Sequence, residues 1–232
     1  LPFSRYNKGM FFRKNADGEN IFIADRDPGA FSDGKTKADI VLYFVESARL
    51  HRMQGSDNFN LIEVSKQADI LFFAGDNGEI RKLSLDNTLL ELEKSEFSSH
   101  DADDLVILPS EQCVLSSAFH EEDQKLFLST IKCNSQQSEI ITLYELNLRL
   151  IPSGLIDVSI IPPAEENTIS IIDVDDAGNI FENKVYSKEN EAFIYKYEKG
   201  FGKAHQNKVI IYQTTFEVYK DGTLFLGVLN KN

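Results

Sequence analysis

Ile70-Leu71-Phe72-Phe73-Ala74-Gly75-Asp76-Asn77-Gly78-Glu79-Ile80-Arg81-Lys82-Leu83 opens with an apolar run, breaks at Asp-Asn-Gly, and resumes with Ile80, Leu83 and Leu85 apolar. Asn-Gly between two such runs is the strongest short-range hairpin signal, because a tight primed turn needs positive φ at both central residues. Four further places repeat the unit. Residues 10–12 lead through Asn15-Ala16-Asp17-Gly18 into 21–24, and 114–119 turn at Glu121-Glu122-Asp123 into 126–131. Residues 168–174 turn at Asp175-Asp176-Ala177-Gly178 into 180–185, and 216–219 turn at Asp221-Gly222 into 224–229.

The turn centres 17, 77, 122, 177 and 221 are 60, 45, 55 and 44 residues apart, a spacing typical of four-stranded propeller blades. Strand-like segments at 59–64, 105–108 and 155–161 precede a hairpin, and others at 40–45, 89–92, 140–146 and 193–197 follow one. The expected repeat is therefore strand, hairpin, strand. These observations predict a single all-β, β-propeller-like domain over residues 1–232, with about five four-stranded repeats. A two-sheet β-sandwich and a fragment of a larger propeller are the alternatives. The last hairpin has no fourth strand of its own and the first has no leading strand, so a shared terminal blade is one way to avoid exposed edges.

At the level of single hairpins the chain resembles the WD-repeat family of β-propellers. Residues 70–83 look like the middle hairpin of a WD-repeat blade and 169–181 like a looser copy, while the Gly-His and Trp-Asp signatures are absent and the chain has no Trp. The resemblance implies a rigid, non-catalytic platform for protein partners.

Composition narrows the function classes. Seventeen Phe and eight Tyr, against two Met, favour pleated packing over helices. No apolar run approaches the 18 or so residues of a spanning helix. The formal net charge is −13, from Asp+Glu 37 and Lys+Arg 24. Such a surface repels phosphate backbones and anionic lipid, so neither nucleic acid nor membrane is an expected partner. Two cysteines are too few for a disulfide scaffold, no Asn lies in a glycosylation sequon and no signal peptide is visible. An intracellular setting, cytoplasmic or nuclear, is expected. The first residue is Leu1, which reads as a processed N-terminus or a fragment.

Candidate chemistry is sparse. Gly29-Ala30-Phe31-Ser32-Asp33-Gly34-Lys35-Thr36 matches the nucleotide-binding pattern in which backbone N–H groups, a Lys and a Thr hydroxyl hold phosphates and Mg²⁺. Gly29, Gly34, Lys35 and Thr36 would be the ligands. A working phosphate loop opens a helix, whereas residues 40–45 are dense in β-branched and aromatic side chains, and Asp25, Asp27 and Asp33 bring like charge close. A loop between strands is the plainer reading. Asp173 to Gly178 resembles the start of a calcium loop, but Ala177 and Lys184 stand where oxygen ligands belong. His51, His100, His120 and His205 show no metal spacing. No cofactor or metal is expected.

Cys113 and Cys133 lie ten residues either side of Asp123, so pairing symmetric about that turn sets them opposite one another. Separate thiols in a reducing compartment are the expected state. The turns themselves form the leading candidate site. Asp17, Asp76, Glu121, Glu122, Asp123, Asp175, Asp176 and Asp221 would share one face of a propeller and attract a Lys/Arg-rich segment. The competing reading is a hydrolase or lectin-like domain with a carbohydrate or small-molecule site at the centre, built from residues such as Asp57, Tyr195 and Tyr212.

Overall fold

A computed structural model of the chain describes residues 10–26, 39–54, 59–75, 78–85, 104–108, 112–132, 142–148, 158–161, 168–186, 191–198, 204–209, 213–218 and 220–228. Among them are eighteen β-strands and no α-helix. Sheet 1 holds β1 (Met10–Lys14), β2 (Asn20–Arg26), β3 (Asp39–Phe44) and β4 (Arg49–Gln54). Sheet 2 holds β5 (Phe59–Val64), β6 (Ile70–Gly75), β7 (Glu79–Ser84) and β8 (Asp104–Ile107). Sheet 3 holds β9 (Gln112–His120), β10 (Lys125–Lys132), β11 (Thr142–Asn147) and β12 (Val158–Ile161). Sheet 4 holds β13 (Thr168–Val174), β14 (Ile180–Tyr186), β15 (Glu191–Tyr197) and β16 (Ala204–Val209). Sheet 5 pairs β17 (Gln213–Val218) with β18 (Leu224–Val228).

Every pairing among the described residues is antiparallel and joins strands consecutive in the chain. The repeat therefore begins with a hairpin and adds two strands, which corrects the expected order of strand, hairpin, strand. The segments expected to lead the third and fourth hairpins are β8 and β12, the fourth strands of the preceding sheets. Two strands carried no sequence signal. β4 reads Arg-Leu-His-Arg-Met-Gln and β16 reads Ala-His-Gln-Asn-Lys-Val, and both are edge strands, where polar side chains are tolerated. Residues 89–92 lie outside the described residues.

The change of phase regroups the turns. Those at Asp17, Glu121–Asp123, Asp175–Asp176 and Asp221 join the first and second strands of their sheets, whereas the β6–β7 connection joins the second and third. Consecutive connections of an antiparallel sheet alternate between its two ends, so the β6–β7 connection is not equivalent to the other four. Asp76 and Asn77, which belong to it, lie outside the described residues. The equivalent turn in sheet 2 is Ser65-Lys66-Gln67-Ala68-Asp69, between β5 and β6. A residue with positive φ marks each of the five first hairpins: Gly18 (85°), Ala68 (58°), Gln124 (53°), Gly178 (80°) and Gly222 (81°). These positions are 50, 56, 54 and 44 residues apart, a more even period than the sequence turns gave.

By contacts the chain divides into two compact units, Asn7–Glu111 and Gln112–Asn232, the latter together with Leu1–Tyr6. In Asn7–Glu111, one face of sheet 1 (Phe11, Ile21, Ile23, Ile40, Leu42, Phe44) packs with Leu61, Val64, Leu71, Phe73 and Leu83 of sheet 2. Arg13 crosses the same seam, donating from Nε to the Val64 carbonyl at 3.2 Å and from Nη2 to the buried Glu63 carboxylate at 3.3 Å. In the other unit, Ala118, Phe127 and Leu143 of sheet 3 pack with Ile172 and Ile180 of sheet 4. The Ser116 hydroxyl accepts the Ile172 N–H at 3.0 Å. Asp173 links sheet 4 to sheet 5 by accepting the Val218 N–H at 2.8 Å.

The expected symmetric facing of the cysteines does not occur. A register shift at Ser129/Thr130 sets Cys113 opposite Ile131. Cys113 is nevertheless disulfide-bonded, against the expectation of separate thiols. Cys133, the only other cysteine of the chain, lies outside the described residues. Disulfides persist in oxidising compartments and are rare in the cytosol, so this bond counts against the intracellular setting.

Candidate functional site

The first turns of sheets 3, 4 and 5 are linked to one another along one edge of the Gln112–Asn232 unit. His120, buried at the end of β9, places Nε2 3.1 Å from the Asp176 carbonyl. Its Nδ1 stands 3.3 Å from the Asp123 N–H and 3.2 Å from the Asp123 carboxylate. A carbonyl oxygen can only accept, so Nε2 donates to Asp176, and the imidazole spans the two turns. Asp176 N–H in turn donates to the Lys220 carbonyl at 3.2 Å.

The acidic side chains along this edge play two different parts. Asp175 is buried, and its carboxylate accepts the backbone N–H and side-chain amide of Asn179, each at 2.8 Å. It closes its own turn and offers no charge to a partner. Asp123 is engaged with His120. Glu122 and Asp221 are exposed, and Glu121 and Asp176 are half-buried. The Thr223 N–H donates to the Asp221 carboxylate and holds its pKa below the ordinary value, so it stays ionised through the neutral range. Lys220 is the exposed cation beside them.

The remaining candidates are dispersed. Asp17 is exposed in the first turn of sheet 1, in the other unit, where Asn15 rather than an acid closes the turn by accepting the Glu19 N–H. Asp69 closes the sheet 2 turn with Ser65, a role no sequence motif flagged. Gly29, Gly34, Lys35 and Thr36 lie outside the described residues. The segment 27–38 that contains them joins β2 to β3, which are antiparallel neighbours, and Asp39–Phe44 is strand where a phosphate loop would open a helix. Among the described residues no group of His, Cys, Asp and Glu could hold a metal ion. Tyr195 stacks with Tyr197 and tilts against Phe193 on β15, while Asp57 and Tyr212 lie outside the described residues. No helix among the described residues is long and apolar enough to cross a membrane.

Similarity to known proteins is structural. No family model matches the chain, and no curated protein matches it. It is similar to the crystal structure of the β-propeller domain of Cps50 (Swd1) from Myceliophteria thermophila, with TM-score 0.58 and 11% identity over 97% of this chain and 64% of that one. The fold is β-propeller-like. A putative 6-phosphogluconolactonase from Bacteroides uniformis is similar to the same degree, with TM-score 0.56 and 10% identity over 95% of this chain and 64% of that one. The chain thus spans 64% of the length of each of these two propeller-like structures.

Proposed function

We propose that residues 1–232 serve as one propeller-like domain acting as a non-catalytic interaction platform, in the manner of the WD-repeat propellers that its hairpins resemble. Its contact surface is the edge formed by the first turns of sheets 3, 4 and 5, and its partner presents a Lys/Arg-rich segment. The observation that carries this reading is the linkage His120–Asp176–Lys220, which ties three turns together. Charges held at fixed spacing attract an oppositely charged segment without first losing the conformational freedom of separate loops. Glu122, Asp176 and Asp221 supply the charge, with Glu121 beside them. Asp175 and Asp123 hold the turns in place.

The test is fluorescence anisotropy with a labelled oligo-arginine peptide at low and physiological salt. The variant Glu122→Lys/Asp176→Lys/Asp221→Lys is expected to bind at least about tenfold more weakly, because reversing several charges removes attraction and adds repulsion. Asp17→Lys, in the other unit, is the charge control and should change affinity by less than about twofold. Equal binding by wild type and triple variant would remove the acidic edge as the contact surface.

A further inference from the structure

Sheets 1 and 4 share one frame. Asn15 and Asp175 each bond through the backbone to the residue four places on, Glu19 and Asn179, and each accepts that residue's N–H on its side chain. Counting back from these turns, Phe12, Phe22 and Tyr43 in sheet 1 occupy the places of Ile172, Glu182 and Tyr195 in sheet 4. In sheet 4 the first two places of this row are covered and Tyr195 is half-buried. Ile172 is 1% exposed and Glu182 0%, and sheet 3 supplies the cover through Ala118, Phe127, Leu143 and the Ser116 bond.

In sheet 1 the same row is bare. Phe12 is 60% exposed, Phe22 36%, Tyr43 38% and Leu50 55%. The register makes them one continuous row, since Phe12 pairs with Phe22, Phe22 with Tyr43 and Tyr43 with Leu50. Met10, two residues from Phe12 on the same face of β1, is 64% exposed. Among the residues whose side-chain exposure is described, every large exposed hydrophobic lies in this sheet or in its β3–β4 turn, where Val45 is 41% exposed. The opposite face is already filled by sheet 2. A contiguous apolar patch of this kind marks an interaction surface. Its five members on this face, Met10, Phe12, Phe22, Tyr43 and Leu50, carry no charge, in a chain whose net charge is −13.

We infer that this face is a docking surface for a further antiparallel β-sheet of the same repeat, supplied by polypeptide outside these 232 residues. The occupant follows from the frame: the equivalent row of sheet 4 is covered by the apolar face of the sheet before it. The extent of the match agrees, since 36% of the propeller domain that the chain resembles has no counterpart here, the chain covering 64% of it. The docking sheet presents a small, an aromatic and an aliphatic side chain toward Phe12 and Phe22, as Ala118, Phe127 and Leu143 do toward Ile172.

Site-specific photocrosslinking tests the assignment. Benzoylphenylalanine replaces Tyr43 or, in a second variant, Leu50, in the full-length protein made in its own cells, and the attached peptide is sequenced by mass spectrometry. The expected product at both sites is a peptide from outside the 232 residues with the alternating apolar pattern of a strand. Adding Phe12→Asp is expected to lower its yield at least about tenfold, while circular dichroism of the 232-residue chain stays unchanged. Attachment to residues 213–228 of the same chain, to the same face of a second copy, or to a segment without strand alternation would overturn the inference. So would no attachment at either site.

Discussion

The first turn of sheet 2 and the first turn of sheet 4 solve one backbone problem with different side chains. Asp175 accepts the Asn179 N–H and side-chain amide, and Gly178 takes positive φ without a Cβ penalty. In sheet 2 the Ser65 hydroxyl accepts the N–H groups of both Asp69 and Ile70 and donates to the Asp69 carboxylate. There the positive φ falls on Ala68, and the backbone bond closes on Ile70, one residue wider than in sheet 4. What repeats in sheets 1, 2 and 4 is therefore a polar acceptor followed three residues later by a left-handed residue. An acid and a glycine are only one way to write it.

Substitutions can break or sharpen that equivalence. The largest effect is expected at Asp175→Ala, which strips the acceptor from two donors of the half-buried Asn179 and should lower stability by about 2–3 kcal/mol in urea unfolding. Asp175→Asn keeps an acceptor and should recover most of the loss. Ser65→Ala should have a smaller effect, about 1–2 kcal/mol, because a neutral hydroxyl is a weaker acceptor than a carboxylate. The two left-handed positions should respond unequally. Gly178→Ala should destabilise by about 1–2 kcal/mol by placing a Cβ in the left-handed region. Ala68→Gly should stay within about 0.5 kcal/mol of wild type, because relief of that penalty is offset by loss of a methyl that is 96% shielded, Ala68 being 4% exposed. A large loss at Ala68→Gly would mean that the two turns are not equivalent.

The smallest effect is a pH effect. The Asp221 carboxyl has its pKa lowered in the folded chain, chiefly by the Thr223 N–H. A depressed carboxyl contributes stability that is complete above its unfolded pKa, near 3.8, and that disappears as the pH falls through the folded value. Asp221→Asn should therefore flatten the acid limb of a stability–pH profile below pH about 4 and leave the neutral plateau unchanged. A profile that keeps its acid slope would assign the acid sensitivity to other carboxylates.

The all-β class was legible because buried strands need apolar or alternating side chains, and β6, β9, β10, β13 and β14 have them. The phase of the repeat was not. Asn77-Gly78 is the loudest turn signal in the chain, yet it marks the second connection of its sheet. Ser65 to Asp69 contains no glycine or proline and gave no signal at all, although it too joins the first two strands of its sheet and carries a positive φ, at Ala68. The acidic turns were legible as turns, but Asp221 and Asp175 look alike in sequence and differ in burial. Asp175 is buried where Asn179 bonds its carboxylate and the sheet 5 turn comes close, a Cβ on Gly222 lying a tight 3.2 Å from that carboxylate. Neither the His120 link nor the bare row of sheet 1 could be read from composition, since both depend on which strands become neighbours.

All described pairings join strands that follow one another in the chain, and this sets the order in which the molecule can assemble on the ribosome. Each new strand finds its partner among the residues just synthesised, so loop closure remains short and the search local. Asn7–Glu111 can complete its two sheets before β9 has left the exit tunnel. Lengthening such a chain by a hairpin and two strands adds one more local step and alters none of the earlier ones.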